Sequence, residues 1–184
     1  MLGAMEKRIA IFAPSLRGGG AERVMVTLAN AFAMRGFNVD LILAATEGPY
    51  LRDVVADVRV VDLKAGRVIR ALLPLVRYLR RERPVAMLSA MGHANLIAVL
   101  GQKLARTSTR VVVSERGTVS GEFRIARGFV PKLTFKLLPW IYPRADAICT
   151  VSQEATNDLA DFTGIPHERI KTIYNPFDLA SIEE

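Results

Sequence analysis

The stretch from Lys7 to Phe37 constrains the fold more than any other part of the sequence. Its first residues, Ile9 to Ala13, form an apolar run without alternation, which is typical of a strand buried on both faces of a parallel sheet. Gly18 to Gly20 follow and allow the backbone to approach a ligand closely. Helical periodicity begins at Ala21, and Gly36 provides a stop. The pattern predicts a strand, a glycine-rich turn and a helix whose first N–H groups can bind an anion.

Strands and helices alternate through the rest of the chain. Short apolar runs predict six further strands, at 38–44, 58–63, 85–89, 110–114, 145–151 and 170–174. Helical periodicity predicts helices at 67–83, 94–106, 129–142 and 153–162, and the polar segment 115–125 is predicted as a loop. This alternation predicts an α/β fold, a doubly wound, mostly parallel, Rossmann-like sheet of about seven strands.

Polar residues cluster where the predicted strands end, which is the edge at which such sheets bind ligands. The candidates are the glycine loop after the first strand, Gly92, His93 and Asn95 after the fourth, Glu115 and Arg116 after the fifth, Ser152 and Glu154 after the sixth, and Asn175 after the last. Two interpretations stay open for several of them. His93 is either a ligand-binding residue or a locally bonded residue at a helix start, Glu115 and Arg116 are either site residues or a mutual surface pair, and Ser152 is first of all a helix cap.

Charge and composition restrict the classes of partner. The net charge of +7 calls for an acidic partner, such as a phosphorylated ligand or an anionic membrane. Aromatic residues are sparse and form no ladder with basic ones, so no nucleic-acid partner is predicted. The single cysteine, Cys149, is predicted to be buried, and with only two histidines no catalytic triad or metal cluster can be assembled. No secretory signal precedes the first strand, so the expected location is the cytoplasm.

Two basic stretches account for the positive charge. The first, 64–83, is interpreted as a solvated helix face over a core-facing stripe. The second, 115–136, interleaves basic residues with apolar ones, which suits the interface of an anionic membrane. We therefore expect 123–136 to contact the inner face of the membrane, and a solvated face is the alternative.

Three motifs resemble the family 4 retaining glycosyltransferases of the two-domain GT-B type. They are SLRGGGAERV at 15–24, SERG at 114–117, and AICTVSQEATNDLADFTGIPHERIKTIYNPFD at 147–178. The resemblance covers nearly the whole chain. It implies an N-terminal, acceptor-side domain at 1–176, with 177–184 beginning a linker to an absent C-terminal domain.

The resemblance also implies roles for particular residues. Gly18, Gly19 and Gly20 would face the diphosphate of a nucleotide-diphosphate sugar, and His93 would occupy the catalytic position near the sugar. The cleft would further contain Arg17, Glu22, Asn95, Glu115, Arg116, Ser152 and Asn175. Members of the family transfer the sugar with retention, often to a polysaccharide or lipid-linked acceptor, and need no catalytic metal or other cofactor. Because their C-terminal domain holds most of the donor's nucleotide, the 184-residue chain alone is predicted to be inactive.

Two other functional classes stay open at this point. A dinucleotide-dependent oxidoreductase would need a GxGxxG turn, which this loop lacks, and an acid after the second strand, for which Glu47 is a poor candidate. A non-catalytic phosphate- or membrane-binding module is the second alternative, because half of a cleft can bind a ligand without catalysing a reaction.

Overall fold

The computed structural model describes residues 7–176. Seven strands lie in this range, at Arg8–Ala13 (β1), Asn38–Leu43 (β2), Val58–Asp62 (β3), Ala86–Ala90 (β4), Arg110–Glu115 (β5), Ala147–Thr150 (β6) and Ile170–Thr172 (β7). The helices are Gly20–Met34 (α1), Leu72–Glu82 (α2), Gly92–Ala105 (α3), Val119–Ile125 (α4), Phe129–Ile141 (α5) and Gln153–Thr163 (α6). Short 3-10 turns occupy Pro49–Asp53, Val68–Ala71, Tyr142–Arg144 and His167–Arg169. The predicted linker at 177–184 lies outside the described residues.

The seven described strands form one sheet in the order β3-β2-β1-β4-β5-β6-β7, and every neighbouring pair is parallel. The predicted doubly wound, Rossmann-like architecture is confirmed. The chain builds outward from β1 to β3, returns to the other side of β1, and continues from β4 to β7. The strand order therefore reverses between β1 and β4, and a crevice is expected beyond the carboxyl ends of these two strands.

Apolar residues of β1 pack on both faces of the sheet, as its unbroken apolar run predicts. Ile11 and Ala13 belong to the cluster that α1 covers, whereas Ala10 and Phe12 belong to the larger cluster formed with α2, α3, α5 and α6. Ala10 to Ala13 are completely buried. Within residues 7–176, no helix combines the length and the apolar character that crossing a bilayer would require.

The structure differs from the prediction for 115–125, which is not a loop throughout. β5 extends through Glu115, and Val119–Ile125 forms the short helix α4. The helix is held by tertiary contacts, since Val119 is buried and Ser120 donates both its N–H and its hydroxyl to the Asp158 carboxylate of α6. Contacts with a distant element are invisible to local periodicity, which explains the wrong prediction.

The predicted helix at 67–83 consists of two parts. A 3-10 turn at Val68–Ala71 leads into α2, and Pro74 is the third residue of that helix. The first N–H groups of a helix have no intrahelical acceptor, so a proline there removes nothing that the helix needs. Pro74 therefore does not interrupt α2.

A buried ion-pair network ties the three strands at one side of the sheet to α2. Asp40 of β2 is fully buried and accepts hydrogen bonds from Arg8 of β1 at 2.7 Å, Arg59 of β3 at 2.5 Å and the Tyr78 hydroxyl of α2 at 2.5 Å. Arg59 also pairs with Glu82 at 3.1 Å. Burial by itself would raise the pKa of Asp40, but the hydrogen bonds from Arg59 and Tyr78 outweigh it and lower that pKa below its usual value. Asp40 is therefore a charged, structural carboxylate.

Candidate functional site

A cavity of about 390 Å³ opens at the carboxyl edge of the sheet, beside the point where the strand order reverses. Segments that follow β1, β2, β3 and β4 contribute to it, and α4 and α5 complete its wall. The lining residues are Pro14, Ser15, Arg17, Ala45, Glu47, Gly66, Arg67, Val68, Ile69, Gly92, His93, Leu96, Ile97, Glu122, Val130, Pro131, Thr134 and Phe135. Apolar walls with a few charged groups at the rim are typical of a small-molecule site.

The glycine-rich loop forms the start of α1 beside this cavity. Its amides are partly occupied by the chain itself, since Glu22 Oε2 accepts the N–H groups of Gly18 at 2.8 Å and Gly19 at 2.9 Å. Glu22 is buried, and its Oε1 accepts the Ser15 hydroxyl at 3.1 Å. Gly20 is exposed and its amide is not bonded to Glu22. A phosphate at this helix start would therefore bind at Gly20, or would take two amides from Glu22.

His93 lies at the second position of α3 and lines the cavity. The residue is accessible to solvent, yet partial burial against the cavity wall lowers the pKa of its imidazole below the usual value. No described residue forms a hydrogen bond with its side chain, so the locally bonded alternative for His93 is not observed. Met91, just before the helix, has a φ of 74°, which is uncommon for a non-glycine residue and is the kind of strain found at functional sites.

Glu115 is buried beneath the start of α3 rather than exposed at the rim. The Tyr142 hydroxyl donates to its Oε1, and a Cβ at Gly92 would lie 3.4 Å from the same oxygen. Asn95 Nδ2 lies 2.9 Å from the Tyr142 oxygen and 3.3 Å from Glu115 Oε1. Burial, reinforced by the nearby Glu122 carboxylate, raises the pKa of Glu115 to about 7 in spite of the hydrogen bond from Tyr142.

The alternative that Glu115 and Arg116 form a surface pair is therefore wrong. Glu115 is buried, and the described residues contain no ion pair between it and Arg116. Arg116 donates to Asn175 Oδ1 at 2.6 Å, joining the end of β5 to the segment after β7. Ser152 caps α6 by accepting the Ala155 N–H at 3.1 Å, as its position predicted.

Only two of the predicted side chains, Arg17 and His93, line the cavity. Glu22 supports the glycine loop, whereas Asn95 and Glu115 lie behind Gly92. The predicted cleft residues Arg116, Ser152 and Asn175 lie around β5, β6 and β7 and do not line it. Their roles in binding remain predictions.

Sequence reasoning missed several residues of the cavity. Arg67 and Ile69 follow β3, so the same strand-end rule that selected His93 could have selected them. Glu122 also lines the cavity, but its segment was predicted as a loop. Its pKa is raised, mainly by partial burial and to a smaller extent by the negative charge of Asp158. Glu47 forms an ion pair with Arg17 at 2.6 Å, a contact across 30 residues that no local motif indicates.

In residues 7–176, no group of three or more His, Cys, Asp or Glu side chains could hold a metal ion.

The fold and the cavity together define a Rossmann-like domain with a cavity at the carboxyl edge of a parallel sheet. Comparison with protein families makes the assignment specific. The model of Glycosyltransferase Family 4 matches residues 18–181, which is most of the chain. The chain belongs to glycosyltransferase family 4.

Individual relatives agree with this assignment. The chain is 26% identical over 187 residues to the N-acetylgalactosamine-N,N'-diacetylbacillosaminyl-diphospho-undecaprenol 4-alpha-N-acetylgalactosaminyltransferase of Campylobacter jejuni, covering 96% of this chain and 50% of the relative. Among solved structures, Anabaena HepE in complex with UDP and glucose matches with a TM-score of 0.72 at 20% identity, over 95% of this chain and 46% of that one. The lipopolysaccharide outer core galactosyltransferase WaaB matches with a TM-score of 0.71 at 14% identity, over 94% and 46%. The chain thus spans about half the length of the proteins it matches, as expected of the N-terminal half of a GT-B fold.

Proposed function

We propose that this chain is the acceptor-side domain of an enzyme that transfers a sugar, with retention, from a nucleotide-diphosphate sugar to a lipid-linked or polysaccharide acceptor. The observation that carries the proposal is the cavity at the carboxyl edge of the sheet. One side of this cavity is the start of α3, where His93 has no hydrogen-bond partner among the described residues, and another side is the apolar wall from α5. The relative from Campylobacter jejuni is named for a diphospho-undecaprenol acceptor, which supports a lipid-linked acceptor here.

In this proposal the start of α1 and the start of α3 bind different parts of the donor. The start of α1 at Gly20 receives the donor's diphosphate, because backbone N–H groups and the positive end of the helix dipole favour an anion. His93 contacts the sugar as a neutral imidazole, since its lowered pKa keeps it uncharged at neutral pH. The other half of the cleft is supplied by a second domain, so the 184-residue chain alone turns over no sugar donor.

Contact with an anionic membrane is a further part of the proposal. Ile125, Phe129 and Val130 are 77%, 79% and 61% exposed, and Lys132 and Lys136 on the same segment are exposed as well. Apolar and basic side chains on one surface bind the interface of an anionic bilayer. We expect the protein to act in the cytoplasm at the inner face of the membrane.

The experiment that tests the function uses the full-length protein and a panel of labelled nucleotide-diphosphate sugars with lipid-linked acceptors. The expected product carries the donor's anomeric configuration, which the coupling constant of the anomeric proton reports. A product of inverted configuration would contradict the retaining mechanism, and turnover by the 184-residue chain alone would contradict the need for a second domain. Absence of transfer with every donor and acceptor would overturn the function itself.

The membrane contact is tested separately by co-sedimentation with vesicles containing phosphatidylglycerol. Replacing Lys132 and Lys136 by Gln should weaken binding at low salt, because each basic residue near the surface contributes about 1 kcal/mol. The matched control replaces Lys103 and Lys171 by Gln, since these two lysines are also exposed and lie outside α5. Equal losses in both variants would argue for a diffuse charge effect and against contact through α5.

A further inference from the structure

The cavity has two apolar walls that continue out of its mouth. One wall is the turn that includes Ile69, and the other is the start of α5 with Val130; both residues line the cavity although they are 59% and 61% exposed. Apolar side chains that line a cavity and also face solvent form a path between the inside of the cavity and the outside. An entirely polar acceptor would not need such a path.

Further exposed apolar side chains lie on the two segments that carry these walls. Leu73 follows in α2 and is 62% exposed, while Phe129 and Leu133 of α5 are 79% and 39% exposed. Large apolar side chains collected beside one cavity mouth mark an interaction site, whereas single exposed ones do not. Exposed apolar side chains on the segments that line the cavity suit a flexible hydrocarbon chain.

Arg67 is placed at the cavity end of this path. It lines the cavity, is exposed, and forms no ion pair or side-chain hydrogen bond with any residue in the described range 7–176. Arg17, the other arginine of the cavity, is already paired with Glu47. The guanidinium of Arg67 is therefore available to an anion, and phosphate oxygens match its donor geometry well.

We propose that the groove between the Val68–Ala71 turn and α5 binds a prenyl diphosphate, with Arg67 pairing with the diphosphate and the hydrocarbon chain lying between Ile69 and Val130. The inference rests on the proposed function, since it names the lipid part of the acceptor. It differs from general membrane contact, because a concave groove with one unpaired arginine recognises an individual lipid rather than a flat surface.

The test is isothermal titration of the 184-residue chain with farnesyl diphosphate, a short prenyl diphosphate, and with inorganic diphosphate as the head group alone. Wild type should bind farnesyl diphosphate at least tenfold more tightly than inorganic diphosphate. Arg67→Gln should weaken binding of farnesyl diphosphate about tenfold, as expected for one lost charge-assisted contact. The matched control is Arg70→Gln, which removes an exposed arginine of the same turn that does not line the cavity and should change the affinity less than twofold.

The apolar wall has its own pair of variants. Ile69→Ser should weaken farnesyl diphosphate binding several-fold and leave inorganic diphosphate unchanged, whereas Val85→Ser, at an exposed apolar residue before β4, should change neither. All four positions are on the surface, so the variants should fold. Equal losses for Arg67→Gln and Arg70→Gln, equal affinities for the two ligands, or no binding of farnesyl diphosphate would overturn the proposal.

Failure of this inference can be told apart from failure of the proposed function. Sugar transfer by the full-length protein without any binding of farnesyl diphosphate would overturn the prenyl groove alone. Binding of farnesyl diphosphate through Arg67, with no sugar transfer to any acceptor, would support the groove and count against the glycosyltransferase function.

Discussion

Replacing the buried Glu115 by Gln should stabilise the protein at neutral and alkaline pH and leave it nearly unchanged in acid. Glu115 has no cation beside it among the described residues, and its ionised form is held only by hydrogen bonds from Tyr142 and Asn95. A neutral amide can accept the same hydrogen bonds without bearing a buried charge. It also adds an N–H donor beside Asn95, whose buried Oδ1 has no partner.

The size of the effect follows from the pKa of Glu115, which burial raises from 4.5 to about 7. A carboxyl whose pKa is higher in the folded state binds more protons there than in the unfolded state, so stability falls as pH rises between the two values. Each pH unit in this window costs about 1.4 kcal/mol, which gives about 3 kcal/mol at pH 7 and above. Below pH 4.5 the carboxyl is protonated in both states, so the cost disappears.

The assay is urea unfolding of wild type and Glu115→Gln at pH 4.5, 6 and 7.5, followed by circular dichroism. The variant should be more stable than wild type by less than about 0.5 kcal/mol at pH 4.5, by about 2 kcal/mol at pH 6 and by about 3 kcal/mol at pH 7.5. Glu168→Gln, at an exposed glutamate, is the control and should show no such trend. A difference that does not change with pH, or a variant that is less stable at pH 7.5, would refute the burial argument.

Three further predictions follow from other parts of the structure. Asp40→Asn should lower the free energy of unfolding by about 3–5 kcal/mol in urea titrations at neutral pH, because Arg8 and Arg59 lose a buried partner. Since folding lowers the pKa of Asp40, this loss should shrink as pH falls below about 4. A loss of stability that persists at lower pH would argue against the ion-pair explanation. Glu22→Ala should cost about 1–2 kcal/mol by releasing two capped amides, and an unchanged urea midpoint would show that the cap contributes nothing. His93→Ala in the full-length protein should lower kcat about 100-fold with little change in stability, whereas unchanged kcat would remove His93 from the catalytic position.

The fold could be predicted from the sequence because its signals are local. Unbroken apolar runs identified the buried strands, helical periodicity identified most helices, and Ser152 marked the start of α6 correctly. The helix α4 within 115–125 was not predicted, because it depends on a contact with Asp158 in a distant helix. Secondary structure that is held by tertiary contacts leaves no periodic signal of its own.

The candidate site was predictable only in part. Strand ends point to His93 and the glycine loop, but they do not reveal that Glu22 occupies two loop amides or that Glu115 turns inward toward Tyr142. The wall of the cavity comes from α5, which packs against α3 from elsewhere in the sequence. Side-chain direction and long-range packing decide these features, and both need coordinates.

Blocking the mouth of the cavity in the full-length protein tests whether this cavity is the acceptor site of a glycosyltransferase. Ile69→Trp places a large side chain on an exposed position of the cavity wall without disturbing the core. The KM for a lipid-linked acceptor should rise at least tenfold while the KM for the nucleotide-diphosphate sugar stays within twofold. A rise in the donor KM with an unchanged acceptor KM would contradict the acceptor assignment, because the cavity would then belong to the donor.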